Sequence, residues 1–381
     1  MRTIIFGTYD TAVHPRIAAI AEGLAARGVD VVECNIPLGL STADRVDMLA
    51  KPWKAAGLVV RLASRWFGLA AKARRLGRPD AVVVGYLGHF DVHLARLIYR
   101  RGKVPLVLDH LISAAGTARD RRISGGGLKQ QLLTLIDAAA LRAADIVVVD
   151  TEEHLETVPE KYRRNVVVVA VGAPEPWHAA ATELATSTEP SADESSPLKV
   201  VFYGLYTPLQ GTPVIGEALG RIAGAPVEVT MIGHGQDEAA TKQAAAANTS
   251  VRWLDWVPAA ELPALVAAHD VCLGIFGTGD KAMRVVPNKV FQGAAAGCAV
   301  ITSDTAPQRR VLGTVPQESG AVLVPPGDPA ALADALLRLA GDRDALLKLR
   351  HAARQFAAQR FTPEQVVAPL MDRLLPAHAR A

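Results

Sequence analysis

A chain of 381 residues, half of them hydrophobic, has more apolar material than one ordinary core takes, and at roughly 100 to 200 residues per domain it predicts two domains. Its formal net charge of +3 is small, whereas a nucleic-acid binder carries a stronger and more clustered excess, so nucleic acid is not an expected partner. Cys34, Cys272 and Cys298 form no CxxC pair and no zinc-type spacing, the amino end does not read as a signal peptide, and no run approaches the roughly 20 apolar residues of a membrane span; the expectation is a cytoplasmic protein.

The first elements are a strand "RTIIF", a helix "PRIAAIAEGLAARG" stopped at Gly28, and a strand "VDVVEC". In the intervening "FGTYDTAVHPRI", Gly7 and Thr8 follow the strand and a helix opens near Pro15, so backbone N–H groups there face either an anion or an ordinary turn. Lys51 to Arg78 is basic, with Trp53, Trp66 and Phe67 interleaved; it is either a covering helix or an amphipathic surface in weak contact with an anionic membrane. The runs "DAVVVG", "VPLVLD", "DIVVVD" and "NVVVVAVG" lack strict alternation and so read as strands buried on both faces of a parallel sheet. Asp109 and His110 stand at the carboxyl end of one such strand, where a polar pair serves either in catalysis and acceptor orientation or as a cap. The stretch "DTEEH", Asp150 to His154, reads as a helix start whose acids suit the dipole.

Composition changes at "AAATELATSTEPSADESSP", acidic and without a sustained apolar face, which reads as a linker. The expected division is therefore a first domain over 1–178, a linker or exposed loop over 179–198, a second domain over 199–360, and a C-terminal helix over 361–381. The strand and helix rhythm restarts at "LKVVFYG" and runs through "VEVTMIG", "VCLGIFG", "CAVITSD" and "GAVLVPPGD". The fold class is α/β, with two Rossmann-like domains facing across a cleft that holds the ligand. Gly204 follows the first strand of the second domain, and Gly233 and Gly235 flank His234 after the next. Lys281, Arg284 and Lys289 gather before a helix of small residues, Gly293 to Gly297; this arrangement is either a diphosphate site without a metal or a solvated basic face.

As a set, "FYGLYTPLQG", "MIGHGQ", "VCLGIFG", "VPNKVFQGAAAGCAVITSD" and "VLVPPGDPAALADAL" resemble the glycosyltransferases of family 4, which have the GT-B fold. The resemblance implies a nucleotide-diphosphate sugar held mainly by the second domain and a small-molecule, glycan or lipid acceptor held by the first. It further implies retention of anomeric configuration with no cofactor or required metal, the leaving phosphate taking the acceptor's proton, and C-terminal helices that cross back to the first domain. On this likeness Gly7, Gly204, Gly233, His234, Gly235, Trp256, Val257, Pro287, Asn288, Lys289, Val290 and Gln292 bind the donor, and Asp109, His110, Lys281 and Arg284 are the catalytic candidates.

The chain departs from the family pattern at four positions. Leu205 and Gln210 stand where Arg and Lys are usual, and Arg284 and Gln292 stand where two carboxylates are usual. The expected compensation is a relocated set of cations, Lys281 and Arg284 with Lys289 as a further candidate, and a Gln292 that recognises the donor ribose through a neutral bond. Alternatives on the same fold are a thiol or amine acceptor, a silent nucleotide-sugar-binding protein and a sugar epimerase.

Overall fold

The computed structural model describes residues 1–10, 16–39, 54–85, 88–99, 104–111, 113–116, 126–187 and 196–375. Pro15, Trp53 with the first residues of the 51–78 stretch, residues 188–195 and residues 376–381 lie outside them. The chain divides into two compact units, Met1–Ala170 with Val366–Ala381, and Val171–Gln365.

The first unit contains β1 (Arg2–Gly7), β2 (Asp30–Asn35), β3 (Ala81–Val84), β4 (Leu106–Asp109), β5 (Ile146–Val149) and β6 (Val166–Val168). They form one sheet in the order β2-β1-β3-β4-β5-β6, every neighbouring pair parallel. The runs AVVV, LVLD and IVVV are buried at every residue because helices cover both faces. Side-chain alternation divides their residues between two cores. Ile4, Phe6, Val82 and Val84 point to one, and Ile5, Val83 and Val107 to the other. The second of these cores is closed by Val366, Val367, Leu370, Met371 and Leu374, from the end of the chain.

The second unit begins earlier than composition suggests. Glu175–Ser187 is a helix, although 179–198 reads as a linker, and Trp177, Ala180 and Ala181 are buried at i, i+3 and i+4 spacing. Trp177 stacks on Tyr203 with centroids 5.7 Å apart, which ties this helix to the second sheet. Composition obscures this because, among the described side chains, the buried face is made by one large aromatic and two alanines. The unit also extends to Gln365. Phe361 packs edge-on against Phe291 and Phe356, at 4.8 and 5.3 Å, so the chain passes to the first unit at Val366.

Strands β7 (Leu198–Tyr203), β8 (Val227–Ile232), β9 (Val251–Leu254), β10 (Val271–Leu273), β11 (Ala299–Ser303) and β12 (Ala321–Val324) form the second sheet, again wholly parallel. Its order, β12-β11-β10-β7-β8-β9, reverses direction between β7 and β10, and the loops beyond their carboxyl ends part there. The helix Asn288–Ala295 is buried from Lys289 onward. Its small residues are needed for size: a Cβ at Gly293 would come within 2.6 Å of the Cys272 sulfur on β10. Among the described residues no helix is long and apolar enough to cross a membrane.

Candidate functional site

The second sheet's order brings the candidate donor residues to one end of it. Gly204 follows β7, Gly233, His234 and Gly235 follow β8, Trp256 and Val257 follow β9, and Lys281 through Gln292 follow β10. Backbone bonds join these turns. The N–H of Gly204 donates to Ile232 O at 3.0 Å, that of Tyr206 to His234 O at 3.0 Å, and that of Gly233 to Leu254 O at 2.8 Å. Gly233 has φ +125°, and a Cβ there would collide with the carbonyl oxygen of Gly204, so only glycine lets the two turns meet. His234, Gly235 and Asn288 are exposed, Trp256 is 74% exposed, Val257 and Pro287 are half-buried, and Val290 is buried.

The three cations of this end differ in placement. Lys281 and Arg284 are half-buried in the turn before the helix, the Arg284 N–H donating to Lys281 O at 3.1 Å. Lys289 is buried; its ammonium donates to Gln210 Oε1 and lies 3.8 Å from the Phe202 ring centroid. Gly204, at φ +144°, leaves room for it, since a Cβ there would stand 3.1 Å from Lys289 Nζ. Burial lowers the Lys289 ammonium to about 7, because the charged form loses its water. Gln292 is buried as well, and its Oε1 accepts a 2.9 Å bond from the Tyr203 hydroxyl. Leu205, beside Gly204, is an exposed apolar residue. A pocket of about 510 Å³ opens at the opposite, amino end of β7, β8 and β9, lined by Lys199, Glu228, Thr230, Ser250, Arg252 and His269. Parallel sheets of this kind bind ligands beyond their carboxyl ends, which makes the Gly204 end the candidate site.

In the first unit Gly7, Asp109 and His110 also stand at strand carboxyl ends, but two of these positions are already engaged. Beside Gly7, the N–H and the hydroxyl of Thr8 each donate to Asp91 Oδ2 at 2.8 Å, and the Trp66 indole N–H donates to Asp91 Oδ1 at 2.8 Å. The anion at this turn is thus a side chain of the protein. Asp109 is fully buried against Arg16, Nε to Oδ1 at 2.9 Å, while Arg16 Nη2 donates to Val169 O at 3.0 Å. Burial raises the Asp109 carboxyl and Arg16 works against that rise.

His110 lies among groups that sequence reasoning passed over. Its ring is buried, edge-on to His89 at 5.4 Å and tilted to His154 at 6.2 Å. Burial, then the neighbouring His89, pushes it down to about 3, so it is neutral. Asp137 accepts from the Ser113 hydroxyl at 2.7 Å and from the N–H groups of Ala114 and Ala115 at 2.9 and 3.0 Å. Burial works to raise the Asp137 carboxyl, but His89, Ser113 and the backbone N–H of Ala115 outweigh it and hold it at about 2. His154 Nδ1 pairs with Asp150 Oδ1 at 2.7 Å, and its N–H is capped by Thr151 at 3.0 Å, which makes 152–157 a helix start. A signal for Asp137 existed: it is the one acid in the run "LLTLIDAAAL". His89 follows Gly88, in the turn beyond β3, and His110 follows Asp109 at the end of β4. Among the described residues, His89, His110 and Asp137 are the one group whose ligand-type atoms converge, and no such group stands in the second unit.

Comparison with known proteins agrees with this architecture. The family model described as Glycosyl transferases group 1 matches residues 197–342. A phosphatidyl-myo-inositol mannosyltransferase of Mycobacterium leprae is 33% identical over 180 residues, 46% of this chain and 45% of that protein, so the match spans about half of the relative's length. A sucrose-phosphate synthase of Thermosynechococcus elongatus superposes with a TM-score of 0.68 at 15% identity, covering 100% of this chain and 99% of the other. Anabaena HepE in complex with UDP-glucose gives 0.65 at 13% identity, over 98% and 99% of the two chains. A UDP-forming α,α-trehalose-phosphate synthase of Burkholderia vietnamiensis gives 0.64 at 14% identity, over 98% and 96%. The chain thus has the GT-B fold, two Rossmann-like lobes with C-terminal helices, and is related to the family 4 glycosyltransferases through its second lobe.

Proposed function

We propose that this protein transfers a glycosyl group from a nucleoside-diphosphate sugar to an acceptor, with retention at the anomeric carbon. The observation that carries the proposal is the buried Lys289 ammonium beside Gly204, at the switch point of the second sheet and within the segment that matches the group 1 glycosyl transferases. The bond from the anomeric carbon to the diphosphate oxygen breaks, and a bond to the acceptor oxygen forms on the same face. The acceptor's proton passes to the leaving phosphate oxygen. The chemistry therefore calls for cations that neutralise the departing diphosphate rather than for a general base. Lys289 supplies the nearest charge to the Gly204 turn, and Lys281 and Arg284 supply the flanking ones. Uridine is the proposed base, supported by the UDP-glucose bound to HepE, with the exposed Trp256 ring and the His234 turn at the strand ends available to it.

The first unit carries the acceptor in this reading, and the neutral His110 offers it a hydrogen bond. A lipid acceptor is favoured by the name of the mycobacterial relative and by the helix Lys54–Leu76, where Val60 and Phe67 are 72% and 80% exposed beside Arg61 and Arg65. Such a face suits peripheral contact with an anionic bilayer.

Thermal unfolding with UDP, GDP and ADP in the absence of metal tests the donor. One diphosphate at a hundred times its Kd should add about 2.7 kcal/mol of stability, and Lys289→Met should abolish that gain. A folded protein that none of the three stabilises would overturn the transferase reading. Sedimentation with phosphatidylglycerol vesicles, compared with Phe67→Asp, tests the membrane contact; equal sedimentation of the two chains removes it.

A further inference from the structure

His89, His110 and Asp137 converge in the first unit, outside the turns assigned to the donor in the second. His89 Nε2 already lies 2.9 Å from Asp137 Oδ1, so an imidazole and a carboxylate are drawn together there. His110 Nδ1, beside them, is buried without a partner among the described residues. A buried ring nitrogen without a hydrogen bond is costly unless something else meets it. The candidate ligand atoms of the three residues all lie within 4.8 Å of one another.

We infer that the first unit binds a divalent transition-metal ion, of the zinc class, through His89, His110 and Asp137. Tetrahedral bonds of about 2.0 Å put ligand atoms roughly 3.3 Å apart, and side-chain rotations that move them by about 1 Å bring this set to that spacing. Two imidazoles and a carboxylate form a borderline donor set that suits zinc better than magnesium or calcium, which take oxygen ligands. The outer groups are also in place: Ser113 and the N–H groups of Ala114 and Ala115 fix the carboxylate, as supporting hydrogen bonds do around metal ligands. Three protein ligands leave a coordination position for water or an added anion. The site belongs to the first unit, at the ends of β3 and β4 where the acceptor is expected, so the ion is proposed as a ligand of that end.

The experiment needs no turnover, so its outcome is independent of the transferase reading. Full-length protein stripped with a chelator is titrated with zinc by calorimetry and with cobalt by visible absorption. One ion per chain is expected, with a tetrahedral cobalt spectrum. Affinity should fall at least tenfold in both His89→Gln and His110→Gln, and should persist in the exposed-residue control His351→Gln. Circular dichroism checks that each variant is folded. If either variant fails to fold, the wild-type cobalt spectrum decides by itself. No stoichiometric binding, an octahedral cobalt spectrum, or binding that is the same in folded His89→Gln and His110→Gln would overturn the site.

Discussion

Lys289 is a buried base whose environment works against its charge, and that gives the proposed donor site a pH dependence. Its folded value of about 7 lies below the ordinary lysine value of about 10.4. Between those limits the unfolded chain binds more protons than the folded one, so this residue makes stability rise as pH rises from about 7 toward 10. Nucleotide binding has the opposite sign. A diphosphate beside the ammonium favours its charged form and raises its pKa, so affinity is fullest below about 7 and declines above it, by at most about tenfold per pH unit. Calorimetric titration of UDP between pH 7 and 9 should show that decline in the wild-type protein and a nearly flat, weaker profile in Lys289→Met. Gln292 contributes to this setting by being neutral. A carboxylate three residues along the same helix would hold the lysine more firmly charged, whereas the amide satisfies the Tyr203 hydroxyl and leaves the ammonium to Gln210 and the Phe202 ring.

The strand-end turns act as one platform because each N–H bonds the carbonyl of the next turn and there is no room for side chains between them. Gly233 is the position on which this depends most. Gly233→Ala introduces a Cβ at φ +125° against the Gly204 carbonyl, and the strain alone is on the order of 1–3 kcal/mol. Because relief requires Gly204 to move from Lys289, the variant should lose UDP affinity by more than tenfold as well as stability; urea unfolding and a UDP titration on the folded variant check both. In the first unit the corresponding turn at Gly7 is closed by Asp91, Thr8 and Trp66. Similar strand-turn-helix elements thus differ in their surroundings, one lying beside a buried ammonium and the other satisfying its donors with a carboxylate.

At the scale of the whole chain, each unit has its own sheet and core, and the C-terminal segment belongs to the first although it follows the second in sequence. Deleting residues after Gln365 removes Val366, Val367, Leu370, Met371 and Leu374 from the first unit's core, each worth about 1.5–3 kcal/mol when fully buried. Differential scanning calorimetry should show the deletion lowering a transition that UDP does not shift, while UDP raises the transition of Val171–Gln365; a UDP shift lost together with the deletion would mean that the units do not unfold separately. The alternation of strands and helices, the parallel sheets and the likeness of the second half to group 1 glycosyl transferases were legible in sequence, because doubly buried strands are apolar throughout and turn residues sit at regular offsets. The start of the second unit was not, since the helix at 175–187 is held by elements farther along the chain, by Trp177 stacking on Tyr203 and by packing against the helices at 262–267 and 288–295. The polar partners were not legible either: Asp91 with Thr8, Lys289 with Gln210 and Asp137 with Ser113 are 83, 79 and 24 residues apart. Local periodicity reports which face of an element is buried, so the sequence by itself determined the elements and the fold class. Which charges stand paired, lowered or without hydrogen bonds depends on what the folded sheet brings beside them, and only the tertiary structure decided that.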